Sequence, residues 1–292
     1  MPELPEVETV CRGLQPFVEG RRIDGISLRR DGLRFPFPEG FADRLKRAKV
    51  EKISRRAKFI LKHLDNGLVW MTHLGMTGRY TVSDPAGRTR PGAFHHQAGT
   101  GSPKGVGKHD HVSVTFESGL ELVYSDPRRF GYMDLLPADT LWQSRHFAHL
   151  GPEPLSNEWS WQELQTALGD RRSPIKTALL DQTVVSGLGN IYVCEALFRA
   201  GISPRRKAGN LGAIRTERLV PHIRDVLQEA IAAGGSSLRD FAGAEGSAGY
   251  FQHNFDVYDR DGEACSNQDC DATIRRIVQS GRSSFYCPKC QR

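Results

Sequence analysis

The cysteines at the carboxyl end constrain this chain most strongly. Four of its six cysteines form the pattern C-x4-C-x16-C-x2-C, at Cys265, Cys270, Cys287 and Cys290. Two close pairs of thiolates match the tetrahedral four-sulfur set of a structural zinc site. Two disulfides would need an oxidising compartment, and the first twenty residues contain four acids but no apolar export segment. So short a tail cannot bury its own core, so we expect one structural zinc ion to fold it.

The segment between the cysteine pairs reads as a β-hairpin. Two strands are predicted over 274–278 and 284–286, with a turn at Ser280-Gly281-Arg282. This is the pattern of a zinc ribbon with Arg282 at its tip. An arginine there is either solvated or contacts phosphate, and the tail alone leaves both open. Cys11 and Cys194 stand in apolar, helix-like surroundings and are predicted to be buried packing residues.

The rest of the chain is β-rich first and helical afterwards. A helix is predicted over 5–18, strands over 23–80, and a hairpin that turns at Ser118-Gly119. From about Leu135 the pattern becomes helical, with helices predicted over 159–168, 174–182, 190–200 and 215–233. Residues 82–108 contain six Gly and three Pro, and are predicted to form a basic excursion between two strands. This order predicts an α+β chain.

The charge of the chain is uneven. Lys and Arg number 40 against 34 Asp and Glu, and residues 1–80 contain 16 against 10. A basic bias in one part of a chain indicates a polyanionic partner such as nucleic acid, although many soluble proteins are mildly basic without one. No apolar run is long enough to cross a membrane, so we expect a cytoplasmic protein with no membrane partner.

The amino end, MPELPEVET, is chemically unusual. Removal of Met1 would leave Pro2 as a free secondary amine, which can attack an electrophilic carbon and form an iminium. Alpha-amino groups titrate near about 8, so a modest decrease of the pKa makes such a nitrogen nucleophilic at neutral pH. Glu3 can then act as a general acid or base. The alternative is a simple Pro-Glu helix start with solvated acids.

Motifs along nearly the whole chain resemble one family. They include PELPEVET (2–9), RRAKF (55–59), HLGMTG (73–78), KHDHV (108–112), DPRRFG (126–131), GLGNIY (187–192), GGSSLRDF (234–241) and GRSSFYCPKCQ (281–291). The chain therefore resembles the bacterial formamidopyrimidine-DNA glycosylases, which excise oxidised purines. Its PELPE start is similar to this branch rather than to the endonuclease VIII branch, which has PEGPE.

The resemblance implies an architecture. It predicts an N-terminal β-sandwich domain with an N-terminal helix at 1–134, a helix–two-turn–helix domain with a lesion-closing loop from Ser236 at 135–256, and a zinc finger at 257–292. It also implies double-stranded DNA with an oxidised purine or an abasic site as partner, action as a monomer, and association with the nucleoid.

The resemblance also implies four catalytic residues. Pro2 matches the nucleophile that attacks C1′ of the flipped nucleotide and forms a Schiff base, and Glu3 matches the acid that assists ring opening or base departure. Lys58 matches the lysine assigned to β-elimination. Arg282 matches the arginine assigned to δ-elimination and to gripping phosphates around the lesion.

Eight further residues match DNA-contacting positions. The implied phosphate or strand contacts are His73, His109, Arg171, Lys176 and Asn190. The implied fillers of the gap left by the extruded base are Met76, Arg128 and Phe130, since apolar groups replace stacking and a guanidinium can bond the orphaned cytosine. Taken singly, each of these also fits a local hydrogen bond, a surface turn or a core position.

Three departures and two alternatives accompany the resemblance. The first cysteine pair is C-x4-C where many members have C-x2-C, the 82–108 excursion is longer than usual, and residues 257–262 read VYDRDG.

The expected activity is bifunctional: excision of the oxidised purine, then strand nicking by β,δ-elimination. The alternatives are the same chemistry on oxidised pyrimidines, and a non-catalytic DNA-binding relative that retains Met1.

Overall fold

A computed structural model of the protein describes residues 1–85, 89–90 (backbone only), 107–236 and 250–292. These residues form two compact units: Met1–Ala148 with Gly234–Tyr250, and His149–Ala233 with Phe251–Arg292. Most of the 82–108 excursion and the loop after Ser236 lie outside the described residues. The three-part division at 1–134, 135–256 and 257–292 is finer than these units and stays a prediction.

The first unit has two antiparallel sheets. One sheet has the order β1-β7-β8-β5-β6 and the other the order β2-β3-β4-β9. The strands are β1 Ile23–Leu28, β2 Val50–Arg56, β3 Phe59–Leu64, β4 Leu68–His73, β5 Arg79–Ser83, β6 Thr89–Arg90, β7 Asp110–Phe116, β8 Glu121–Ser125 and β9 Tyr132–Pro137. Alternate residues from both sheets meet in one hydrophobic core, which includes Val114, Trp70 and Met133. The α+β prediction and the β-sandwich are confirmed.

Helix α1, Leu4–Val18, closes this core. Its start is a capping box in which Glu3 and Glu6 each accept a hydrogen bond from the other's backbone, with a proline in the first turn. The apolar face that the sequence predicted is buried, including Val7, Val10 and Cys11. The predicted helix over 5–18 is therefore confirmed.

Two boundaries in the first unit differ from the sequence prediction. The helical region does not begin at Leu135, because β9 continues to Pro137 and Leu135 pairs with Trp70 of β4. A short helix, α2 Phe41–Leu45, interrupts the region predicted as β. It begins after Gly40, whose φ of 63° suits glycine, and is too short to show a helical period.

The second unit contains four helices: α3 Trp161–Leu168, α4 Ile175–Leu180, α5 Asn190–Arg199 and α6 Ala213–Ala232. All four lie where helices were predicted, within about two residues at each end. Ser160 caps α3 through a capping box with Glu163, which explains why α3 begins later than predicted. Within the described ranges, no helix is both long and apolar enough to cross a bilayer.

The tail forms the predicted ribbon of β10 Arg275–Gln279 and β11 Arg282–Tyr286. Its turn comprises only Ser280 and Gly281, at φ values of 48° and 73°, as in a tight hairpin of type I′. Arg282 therefore opens β11, opposite Gln279, rather than lying within the turn. The ribbon shares a small hydrophobic core with Cys194 of α5.

Candidate active site and nucleic-acid interface

The amino end is buried, and the carboxylates of Glu3 and Glu6 hold its backbone in place. Pro2 is buried, and Glu3 and Glu6 are each only 4% exposed. The Glu6 Oε2 atom accepts the Glu3 backbone N–H at 2.8 Å, while Oε1 accepts the N–H and the hydroxyl of Ser236 at 2.8 and 3.0 Å. Glu6 thus ties the residue after the candidate nucleophile to the start of the 237–249 segment.

Met1 is the exposed residue of this end. It is 38% exposed and still carries the peptide bond to the Pro2 nitrogen. Its removal would turn that amide nitrogen into a secondary amine at the first residue of a fixed helix start. The role of Pro2 as a nucleophile stays a prediction.

Lys58 lies in a tight connection between β2 and β3. Arg56 pairs with Phe59, so Ala57 and Lys58 form the turn, with Ala57 at a φ of 51°. Lys58 is 7% exposed. Arg55 braces the turn by donating to the Ala57 carbonyl at 3.0 Å and to Glu8 at 2.9 Å. A buried lysine held by its backbone suits a proton-transfer role, which stays a prediction.

His73 is arranged as a neutral donor. Its ring stacks on Tyr132 at 5.0 Å and its Nδ1 atom accepts the Gly75 N–H at 3.0 Å. Burial, together with the nearby charges of Lys58 and Arg34, lowers the pKa of His73 to about 4. At neutral pH the ring is uncharged and Nε2 carries the proton, which that atom can donate to a phosphate oxygen.

The three predicted gap-filling residues lie on two adjacent turns. Arg128 and Phe130 are exposed, Phe130 by 45%, and Met76 is half-buried. The Arg128 guanidinium lies 4.9 Å from the Phe130 ring centre. His109 flanks the same turn, where its carbonyl accepts the Asp126 N–H at 3.0 Å. The structure therefore groups these residues, while their contacts with DNA stay predictions.

In the second unit, two predicted phosphate contacts converge on the ribbon. The Lys176 Nζ atom and the Asn190 Nδ2 atom both donate to the Ser283 carbonyl, at 3.2 and 2.9 Å. Ser283 directly follows Arg282, whose side chain is exposed. Asn190 opens α5, where the positive end of the helix dipole favours anions. Asn190 and Arg282 form one candidate phosphate-binding face, whereas the Lys176 side chain is fully buried in this structure.

Arg171 has a different setting. Its guanidinium donates to Asp181 at 2.8 Å and to the Ala167 carbonyl at 3.1 Å. Burial raises the pKa of Asp181, but hydrogen bonds from Thr183 and Arg171 outweigh it and the net pKa is lowered. Any phosphate contact of Arg171 must compete with this ion pair.

The four cysteines of the tail form a metal site. Their sulfur atoms all lie within 4.8 Å of one another. The Cys265–Cys290 and Cys270–Cys287 sulfur pairs are 3.8 and 3.6 Å apart. Tetrahedral zinc with four thiolates requires sulfur separations of about 3.8 Å, so the set fits zinc despite its longer first knuckle. Four protein ligands leave no position for water, so this zinc is structural.

Sequence reasoning missed three buried acids that hold loops. Besides Glu6, these are Asp126, which is fully buried in the turn 126–131, and Glu195, which accepts the N–H groups of residues 256–258 at 2.8 to 3.1 Å. Burial raises the pKa of Glu195, and those hydrogen bonds oppose it. The spacing of a capping box could have predicted the role of Glu6, whereas no local sequence pattern predicts the contacts of Glu195 with residues 256–258.

Profiles of three domain families match the chain. They are described as the "Formamidopyrimidine-DNA glycosylase N-terminal domain" at residues 1–133, the "Formamidopyrimidine-DNA glycosylase H2TH domain" at 150–242 and a "Zinc finger found in FPG and IleRS" at 262–292. The first two names agree with the resemblance in the sequence, and the third agrees with the cysteine site.

Whole proteins match over their full length. The formamidopyrimidine-DNA glycosylase of Ruegeria pomeroyi is 54% identical over 293 residues, covering 100% of both chains. Crystal structures of the Lactococcus lactis FPG protein are similar at 32% identity and 100% coverage of both chains. A variant bound to DNA with Fapy-dG gives a TM-score of 0.85, and a complex with abasic-site DNA gives 0.84. Sequence, domain profiles and fold agree, and the chain belongs to the formamidopyrimidine-DNA glycosylase family.

Proposed function

We propose that this chain is a bifunctional DNA glycosylase and abasic-site lyase that removes oxidised purines, 8-oxoguanine and formamidopyrimidines, from duplex DNA. The observation that carries the proposal is the full-length, 54% identical relative that is named formamidopyrimidine-DNA glycosylase. Similar structures bound to Fapy-dG and abasic-site DNA support the substrate class. We also propose that the protein works in the cytoplasm on the nucleoid.

The proposed chemistry begins at the amino end. After Met1 is removed, the Pro2 nitrogen attacks C1′ of the flipped nucleotide, the bond from C1′ to the base breaks, and the base leaves with a proton. Opening of the sugar ring, with Glu3 as the acid, gives an iminium at C1′. This iminium acidifies the C2′ protons, so that one can be removed and the 3′-phosphate leaves. A second elimination expels the 5′-phosphate, and water releases the enzyme.

The remaining site residues divide the other tasks. Lys58 serves β-elimination, and Arg282 serves δ-elimination and grips the phosphates around the lesion. His73, His109, Arg171, Lys176 and Asn190 contact the backbone or orient the strand, and Met76, Arg128 and Phe130 fill the gap. The four cysteines hold zinc, which folds the ribbon and takes no part in the chemistry.

Borohydride trapping tests the proposal. Wild-type protein, Pro2→Gly and protein with uncleaved Met1 are incubated with a duplex that contains one 8-oxoguanine opposite cytosine. We expect a covalent adduct with the wild type and none when Met1 blocks the amine. Pro5→Ala changes the proline in the first turn of α1 but leaves the Pro2 amine intact, so this variant should still be trapped. Binding of the duplex without an adduct would support the alternative of a non-catalytic DNA-binding relative. Adducts only with duplexes that contain oxidised pyrimidines would support the alternative of a pyrimidine-specific glycosylase.

Product analysis separates the two eliminations. On an abasic-site duplex, Arg282→Met should stop at the unsaturated aldehyde left by β-elimination, whereas the wild type should yield a 3′-phosphate. Arg275→Met removes an exposed arginine of the same hairpin, at the end of β10 away from Arg282, and should behave as the wild type. If both variants gave the wild-type products, the role of Arg282 in δ-elimination would be rejected.

A further inference from the structure

The two turns that carry the predicted gap-filling residues touch through their backbones. One turn contains Gly75 and Met76, and the other contains Arg128 to Gly131. A Cβ atom at Gly75 would lie 2.3 Å from both the Phe130 carbonyl carbon and the Gly131 nitrogen. No side chain fits there, so the packing of the turns depends on this glycine, which also has a φ of 63°.

A buried hydrogen-bond network fastens the turns together. The Asp126 carboxylate accepts the Thr77 hydroxyl at 2.5 Å through Oδ1 and the Gly131 N–H at 2.8 Å through Oδ2. The Thr77 hydroxyl oxygen in turn accepts the Arg128 N–H at 3.2 Å. The Thr77 hydroxyl thus donates to Asp126, the first residue of the 126–131 turn, and accepts from Arg128 in the middle of that turn. Asp126 is fully buried, where a charge-assisted hydrogen bond is strong.

Contacts from outside the turn also hold its backbone. Arg129 has a φ of 58°, which is unfavourable for a residue with a side chain. The Asp126 carbonyl meets the Nε2 atom of buried His111 at 2.9 Å, and the Gly131 carbonyl accepts the Arg34 N–H at 3.1 Å. The surroundings therefore determine the turn before any ligand is present.

We propose that Thr77 and Asp126 are positioning residues that hold both turns as one preformed wedge, so that Met76, Arg128 and Phe130 enter the DNA together. This rests on the proposed function, because it assigns no chemistry of its own. Ordering a free turn costs conformational entropy, and preorganisation removes that cost from the step in which the base leaves the stack. Without the Thr77 hydroxyl, the Met76 turn and the Arg128 amide lose their shared bond.

The test compares a substrate that needs the wedge with one that does not. A duplex with 8-oxoguanine opposite cytosine has a stack to open and an orphaned base to contact. A single-stranded oligonucleotide with an abasic site has neither, yet undergoes the same iminium chemistry. Thr77→Val removes the hydroxyl at constant shape and Thr77→Ser keeps it. Thr81→Val makes the matched exchange in half-buried β5.

We expect Thr77→Val to slow single-turnover excision from the duplex by at least about tenfold, the effect of losing a hydrogen bond to a charged group. Cleavage of the single strand should stay at the wild-type rate, and Thr77→Ser and Thr81→Val should act as the wild type on both. Equal losses on both substrates, no loss on the duplex, or failure of Thr77→Ser to restore the rate would each overturn the inference. A wild type that cleaves neither substrate would overturn the proposed function instead.

Discussion

Lys62 of β3 is fully buried in the sandwich core, where its charge is expensive. Its Nζ atom lies 2.9 Å from the Tyr80 hydroxyl and 3.2 Å from the Thr72 hydroxyl, above the Trp70 ring at 4.0 Å. Burial lowers the pKa of Lys62 from 10.5 to about 7, opposed by Cys11. We therefore predict that Lys62→Met stabilises the protein at neutral pH, since Thr72 and Tyr80 can still bond to each other at 2.8 Å.

The magnitude follows from proton linkage. Between pH 7 and 10.5 the unfolded chain holds the Lys62 proton more tightly than the folded chain, so wild-type stability rises with pH and the cost of burial fades. At 1.36 kcal/mol per pH unit, that cost is about 4 kcal/mol at pH 7 and about 1 kcal/mol at pH 9.5. Lys62→Met also lacks the hydrogen bonds and the ring interactions of the amine. Their loss reduces the stability advantage of the variant by the same amount at pH 7 and at pH 9.5. The advantage of Lys62→Met should therefore shrink by about 3 kcal/mol between the two pH values.

Urea unfolding measures this change. Wild type and Lys62→Met are unfolded at pH 7.0 and 9.5 and followed by tryptophan fluorescence, since Trp70 contacts the amine. Lys52→Met, at an exposed position of β2, should show almost no change with pH. An effect of Lys62→Met that is the same at both pH values would refute the reasoning, because it would mean that the rings and hydroxyls keep the ammonium charged in the core.

Three further changes test other parts of the molecule. Chelation of zinc should open the ribbon to proteolysis within 262–292 and weaken DNA binding, with recovery on adding zinc, as limited proteolysis and gel shifts can show. Glu6→Gln should lower the free energy of unfolding by about 1.5–3 kcal/mol in urea, because an amide nitrogen would face the N–H groups that Glu6 now accepts. If Arg171 binds one phosphate, Arg171→Met should reduce the slope of the log of the DNA-binding constant against the log of the salt concentration by about 0.9. If wild-type Arg171 instead stays paired with Asp181 in the DNA complex, the slope should be unchanged.

The sequence was informative where one local signal determined the structure. The start of α1 followed from its proline and acids, and the cysteine spacing predicted both the metal site and the hairpin between its knuckles. The residues of the amino end themselves predicted an amine nucleophile at Pro2 with Glu3 as acid or base. The elimination roles of Lys58 and Arg282 came from resemblance, because no local pattern reveals them. The position of Arg282 was missed by one residue, because the two-residue turn depends on Ser280 adopting a positive φ.

Other features depended on residues that are distant in sequence. Leu135 was predicted to begin the helical region, but pairing with Trp70, 65 positions earlier, keeps it in β9. Convergence of Lys176 and Asn190 on Ser283 joins residues 107 and 93 positions apart. Local periodicity contains no information on such pairings, so the shape of the phosphate-binding face needed the structure.

The missed acids share one physical task. Glu6, Asp126 and Glu195 are each buried, and each accepts backbone N–H groups from a segment that leads to or carries predicted DNA-binding residues. A carboxylate suits this task because it accepts several hydrogen bonds and donates none. Lys58, Lys62 and Lys176 are buried as well, so burial of these acids leaves the balance of surface charge nearly unchanged. Its effect is to fix backbone from the inside, as in the turn that Asp126 holds while the Arg128 side chain on that turn stays exposed.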